Sequence, residues 1–240
     1  MMIRYSSSIS LPDIRLYFDD DKFSKEYLLV AGGRPPAVSW LQEAATDRVV
    51  YCIDHGADAC RAAGLAPSLF VGDCDSISAD ARQWIRSLNI EASLFPAEKD
   101  KTDTQLALDC FKGKEDAFVI LSGGFGGRFD HLFSLLYSFA DTQLMGCIAD
   151  DHEFVFIMHG DKTVEMELQT APQSVSLLPL SPKCAGVCLN GVHWPLCNAV
   201  LSQSNPYAIS NRLESSDNRI TVRNQTGILA VYLCWQFPME

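Results

Sequence analysis

Residues 68–76 read SLFVGDCDS, an apolar run that breaks at Gly72 into two carboxylates, Asp73 and Asp75, one residue apart. A short β-rich run that gives way to Gly and Asp reads as a buried strand ending in a loop. Comparable runs stand at 27–31, 49–53, 92–95, 117–121 and 145–149, roughly 20–27 residues apart, the length of one strand and one crossover helix. That rhythm predicts a parallel sheet covered by helices on both faces.

The segments between the runs fit helices. Residues 80–88 place Trp84, Ile85 and Leu88 on one side with Ser78 as cap, and Thr102-Asp-Thr-Gln105 matches a capping box that starts a helix at Asp103. From residue 152 the pattern changes to short apolar runs separated by turns, at 152–158, 163–168, 175–178, 187–189, 199–201, 219–222 and 227–233. These supply enough strands for a small sandwich. The expectation is therefore α/β plus all-β: residues 1–150 a Rossmann-like parallel sheet with flanking helices, and residues 151–240 a β-sandwich.

Composition narrows the function classes. An apolar fraction of 48% over 240 residues supports a substantial core. A formal charge of −11 without any Lys/Arg run argues against nucleic acid as a partner. An anionic ligand must then be held by a few local cations, a metal or backbone N–H groups. The amino end has no apolar stretch long enough for a signal peptide, and no run elsewhere approaches a bilayer span. A cytoplasmic protein without a membrane partner is expected. The nine cysteines sit mostly in apolar surroundings, which fits reduced, packed thiols.

In an open parallel sheet ligands bind beyond the carboxyl ends of the strands, so chemistry should gather in the loops after each run. If extended geometry continues through Cys74, Asp73 and Asp75 point to the same side. Converging carboxylates repel unless a cation lies between them. Mg²⁺, which takes a few carboxylates, waters and phosphate oxygens, suits such a pair; a turn with one Asp capping and the other solvated is the alternative. Asp100 and Asp103, three apart at a helix start, can face the same side, although Asp103 would equally complement the helix dipole.

In SGGFGGRFDHLF, residues 122–133, the glycines, Gly126 and Gly127 among them, let backbone amides approach an anion while the next helix presents its amino end. Arg128 adds a planar cation suited to phosphate, with a salt bridge to Asp130 as the alternative. His131 is open between a packed residue and a proton carrier. Neither a Walker loop nor a GxGxxG fingerprint is present. In the β region Cys184, Cys188, His193 and Cys197 approximate a zinc knuckle, though strand alternation explains Cys188 as well.

Taken in order, these motifs resemble the thiamine pyrophosphokinase family. The stretches that carry the resemblance are DHGA at 54–57, PSLFVGDCDSI at 67–77, KDKTD at 99–103 and GGRFDH at 126–131, then SLLPL at 176–180, GVHWPL at 191–196 and Ser204-Asn205. It spans about residues 28–233 and leaves the first 25 without a counterpart; His55, Gln105 and Leu135 stand where the family usually has Gly, an acidic residue and Asn. The resemblance implies a nucleotide-binding α/β domain joined to a β-sandwich, working as a homodimer with thiamine bound where two subunits meet. It implies transfer of the diphosphate of ATP to thiamine, giving AMP and thiamine diphosphate. Asp73, Asp75 and Asp103 would hold Mg²⁺, Asp100 would orient the thiamine hydroxyl, and Arg128 with the glycine amides would grip the transferred group. Asp54, Gly56, Gly126, Gly127, Asp130 and His131 would serve the nucleotide. Ser204, Asn205 and the aromatic face of Trp194 would serve thiamine, with sandwich core as the alternative for Trp194. A metal-dependent phosphohydrolase and a zinc- or nucleotide-binding module are the competing readings.

Overall fold

Two strands open the chain, β1 (Ser7–Ser10) and β2 (Ile14–Phe18). They close a hairpin through reciprocal main-chain hydrogen bonds between Leu11 and Ile14, at 2.8 and 3.3 Å, around Pro12-Asp13, a pair suited to a tight turn. The computed structural model describes residues 5–19, 23–72, 77–94, 100–114, 116–214 and 218–235.

The unit Ser24–Asp150 alternates strands and helices: β3 (Lys25–Val30), α1 (Val38–Ala44), β4 (Val49–Ile53), α2 (Gly56–Ala63), β5 (Leu69–Gly72), α3 (Ala79–Leu88), β6 (Glu91–Leu94), α4 (Asp103–Asp109), β7 (Ala117–Ser122), α5 (Phe129–Asp141) and β8 (Met145–Ala149). The six apolar runs of the sequence are its six strands, with ends moved by two residues or fewer. All pairings within the unit are parallel, in the order β8-β7-β3-β4-β5-β6. Every residue of β7 and β8 is buried, as strands covered on both faces require. From β3 to β6 each new strand is added on one side; β7 then returns to the other side of β3. That reversal opens a crevice at the carboxyl ends of β3 and β7.

Helix starts follow their capping residues. The Ser78 hydroxyl accepts from the Ala81 N–H at 3.1 Å at the head of α3. At the head of α4 the capping box is complete: Thr102 Oγ1 accepts from the Gln105 N–H (3.2 Å) and Gln105 Oε1 accepts from the Thr102 N–H (2.9 Å).

The second unit joins Met1–Phe23 to Asp151–Glu240. It adds β9 (Glu153–His159), β10 (Lys162–Leu168), β11 (Ser174–Pro179), β12 (Lys183–Asn190), β13 (Leu196–Ser202), β14 (Arg219–Asn224) and β15 (Ile228–Cys234). Antiparallel ladders run β1-β2-β10-β14-β12-β13 and β11-β15-β9. This corrects the expectation that residues 1–23 belong with the α/β part. In β2, Ile14, Leu16 and Phe18 are 3%, 0% and 1% exposed, and they stand opposite Leu168, Met166 and Val164 of β10. One apolar face therefore runs across both ends of the chain. Phe18 also meets Phe156 of β9, ring centroids 5.8 Å apart. Among the described residues no helix is long and apolar enough to cross a membrane.

Candidate functional site

The loops after β3, β4 and β7, with the amino ends of α4 and α5, enclose a cavity of about 610 Å³, within the roughly 300–1,000 Å³ of small-ligand pockets. Its floor is made of backbone. The Gly33 N–H donates to Gly123 O at 2.8 Å and the Arg34 N–H to Phe125 O at 2.6 Å, which draws the loop after β3 against the loop after β7. A Cβ on Gly33 would lie 2.4 Å from Gly123 O, so no larger residue fits this junction. Gly126 and Gly127 take φ of +67° and +121°, and a Cβ on Gly127 would meet nothing within 4 Å. The main chain there is bare toward the cavity, and the amino end of α5 follows directly. Exposed amides at a helix start are a ready site for an anion.

Carboxylates face this floor. Asp54, immediately after β4, holds a left-handed backbone (φ 46°), which Asp tolerates better than most residues. Its side chain lies against Gly72, where a Cβ would come within 2.0 Å of Asp54 Oδ1. Asp103 is the first residue of α4, fixed by the capping box. Asp130, in the first turn of α5, accepts from Arg128 Nε (3.1 Å) and Nη2 (2.6 Å), so the salt bridge foreseen as the alternative is formed. That pair holds the Asp130 carboxyl below the usual carboxylate range and raises the Arg128 guanidinium, each through the hydrogen bond to the other. Arg128 keeps Nη1 without a protein partner among the described residues, and its side chain is 75% exposed.

Among the described residues three carboxylates and one arginine line the cavity, so a polyanion entering it needs a cation with it. Among the described residues no group of three or more His, Cys, Asp or Glu side chains converges as a metal site. Asp73 and Asp75 lie outside the described residues.

Of the other residues singled out from the sequence, Gly126, Gly127, Arg128, Asp130, His131, Asp54 and Asp103 come together around the cavity, whereas Asp100 and Gly56 do not line it. Asp100 is exposed just ahead of α4. Gly56 begins α2, where a Cβ would fall 1.9 Å from Val30 O, so its role in the fold is the close approach of that helix to β3. In the antiparallel unit Trp194 is 58% exposed, which sets aside its reading as core. The buried Asn211 side chain presents it outward, accepting from the Trp194 N–H (3.1 Å) and donating to Trp194 O (2.8 Å). Arg212 stands 5.8 Å from its ring and His193 packs edge-on at 4.6 Å. Ser204 and Asn205 are exposed; Ser204 Oγ bonds Ser202 Oγ (2.9 Å) and the Asn205 N–H donates to Ser202 O (3.1 Å).

The zinc reading does not hold: among the described residues Cys184, Cys188, His193 and Cys197 make no group that could hold a metal ion. Cys184 Sγ donates to Ile228 O at 3.1 Å, Cys188 Sγ accepts from the Asn198 N–H at 3.3 Å, and His193 Nδ1 lies 3.1 Å from Glu214 Oε2. Each is occupied by a different partner.

Sequence reasoning did not single out Gly33, Ser138 or the pair Arg34–Asp150. Gln105 Nε2 donates to Ser138 Oγ (2.9 Å), and the same hydroxyl donates to Ser134 O (2.7 Å), tying α4 to α5 along the cavity wall. Ser134 and Ser138 at helical spacing were a visible signal. Arg34 bonds Asp150 through Nε (2.9 Å) and Nη2 (2.6 Å).

Comparison with known proteins gives concordant matches over most of the chain. The family described as thiamin pyrophosphokinase, catalytic domain, matches residues 41–147, and that described as thiamin pyrophosphokinase, vitamin B1 binding domain, matches residues 162–229. The chain is 29% identical over 205 residues to thiamine pyrophosphokinase from Bacillus subtilis (strain 168), covering 84% of this chain and 94% of that one. The crystal structure of thiamine pyrophosphokinase from Bacillus subtilis superposes with a TM-score of 0.76 at 25% identity, over 89% of this chain and 100% of the other. A thiamin pyrophosphokinase family protein from Enterococcus faecalis gives a TM-score of 0.73 at 25% identity with the same coverage.

Proposed function

Because this chain belongs to the thiamin pyrophosphokinase family, matching both of its domains, we infer that it transfers the diphosphoryl group of ATP to thiamine, giving thiamine diphosphate and AMP. The observation that carries this reading is the cavity at the reversal of strand order, where two glycine-rich loops and two helix starts face acidic side chains. The strand order supports a Rossmann-like description of the α/β unit, and the contact of Phe18 with Phe156 across two ladders supports a sandwich for the other.

In the reaction the thiamine hydroxyl oxygen forms a bond to the β-phosphorus as the bond from that phosphorus to the oxygen bridging the α-phosphate breaks. AMP departs with that oxygen, and the hydroxyl proton passes to a base. Asp100 is our choice to receive or orient that proton. Backbone amides at Gly126 and Gly127 and the unengaged Nη1 of Arg128 would hold the oxygens of the transferred group, with Asp130 and His131 flanking them. Asp54 would orient the nucleotide. Carboxylates are hard oxygen donors, and Asp54 and Asp103 open on the same cavity, so the site fits Mg²⁺; Asp73, Asp75 and Asp103 would hold it. When bound, Mg²⁺ supplies charge neutralisation for the triphosphate.

Trp194, Ser204 and Asn205 are read as thiamine contacts, since an exposed indole face suits a cationic ring. A homodimer in the cytoplasm completes the proposal. The experiment is a nucleotide product assay with Mg²⁺-ATP. AMP formed only when thiamine is present is the expected result; ADP as product, or phosphate released without thiamine, overturns it.

A further inference from the structure

Arg34 and Asp150 stand outside the cavity wall, yet the geometry points to Arg34 as a positioning residue that sets the shape of the glycine-rich loop and so the grip on nucleotide. The inference rests on reading the cavity as the ATP site. Asp150 follows β8 and is 2% exposed, and a buried carboxylate persists only when paired and hydrogen-bonded. Its Oδ2 accepts from both Nε (2.9 Å) and Nη2 (2.6 Å) of Arg34, which pins the guanidinium in place.

From that anchor Arg34 touches the loop at three more points. Its N–H donates to Phe125 O at 2.6 Å. Its guanidinium carbon lies 5.8 Å from the Phe125 ring centroid. Its Cβ packs so close to Gly126 that a Cβ there would stand 2.6 Å away. Phe125 is itself 2% exposed, so the middle of the loop is clamped between Arg34 and the core while Gly124, Gly126 and Gly127 border the cavity. Releasing the clamp lets the loop amides wander from the orientation an anion needs, and preorganised donors lose most of their value when they must be reordered on binding. Lysine cannot replace this arginine, because one ammonium offers neither the fork of parallel donors nor a flat face for Phe125.

The decisive variant is Arg34→Met with Asp150→Asn, which removes both charges together and leaves no buried carboxylate unpaired. Binding of Mg²⁺ with α,β-methylene ATP is measured by calorimetry, and AMP formation by kinetics with each substrate varied. The Kd for the analogue and the KM for ATP are expected to rise about tenfold or more, while the KM for thiamine moves less than about twofold. A pair that only stabilises the fold would lower Tm or the active fraction and leave both KM values alone. A folded double variant with wild-type nucleotide affinity overturns the inference. If that variant does not fold, Arg34→Lys is measured the same way, with a rise of about threefold or more expected in the KM for ATP alone and an unchanged value counting against the inference. Wild-type protein that binds no analogue would bring down the ATP reading and the role of Arg34 with it. Wild-type binding with an indifferent variant would bring down the positioning role alone.

Discussion

Asp103 concentrates several demands on one residue: it opens α4, lies within a complete capping box and lines the cavity. A neutral amide in its place keeps the helix start but removes a hard oxygen donor. Asp103→Asn is expected to lower kcat/KM on the order of 10²-fold with the far-ultraviolet circular dichroism unchanged; near-normal turnover would remove Asp103 from the site. Arg128 makes a second prediction through its partner. It depresses the Asp130 carboxyl, so the pair's contribution is complete above the ordinary carboxylate value and is lost as pH falls through the lower, folded one. Near neutrality Asp130 therefore stays ionised on Arg128. In Arg128→Ala the carboxyl is expected to titrate upward toward the ordinary carboxylate value, followed by carbon-detected NMR; an unshifted titration would disconnect the two groups. Residues such as these were legible because each sits directly after an apolar run or in a capping pattern. The Arg34–Asp150 pair was not, because its members are 116 positions apart and meet only through the strand order, which no local pattern states.

The helix starts show how far an element can be read in advance and what it then does. Thr102-Asp-Thr-Gln105 specifies the head of α4 in four letters, since Thr102 and Gln105 satisfy each other's N–H groups. Gln105 then reaches Ser138 on α5, a contact that depends on how two helices lie together and so was beyond any single window. Thr102→Ala is expected to cost about 1 kcal/mol in urea denaturation. It should also raise the KM for ATP, because Asp103 rides on the same turn. An unaltered midpoint would mean that packing alone sets the start of α4. The strands of the α/β unit were equally plain, being near-continuous apolar runs bounded by Gly and Asp. Loop shape was not, since the contact of Gly33 with Gly123 follows from two loops whose adjacency the reversal of strand order creates.

For the molecule as a whole, the unforeseen feature is the hairpin of β1 and β2. Its alternation of Ile14, Leu16 and Phe18 is the pattern of a half-buried strand, but periodicity names no partner, and the partner is β10. Leu16, 0% exposed, faces Met166 in that register. Leu16→Ala is expected to destabilise the antiparallel unit by about 2–5 kcal/mol, seen as a lowered near-ultraviolet unfolding transition, and an unmoved transition would make the hairpin an ornament of the unit. On the outer face Tyr5 donates to Glu165, 160 positions along the chain, at 2.5 Å. That separation has a consequence during synthesis. At translation rates of roughly 5–20 residues per second, Tyr5 waits roughly 8–32 s for Glu165 to be made. Meanwhile the intervening unit, whose strands pair among themselves, can already close. The hairpin thus emerges well before the strand that covers it, and its apolar face stays open to solvent until β10 has been made.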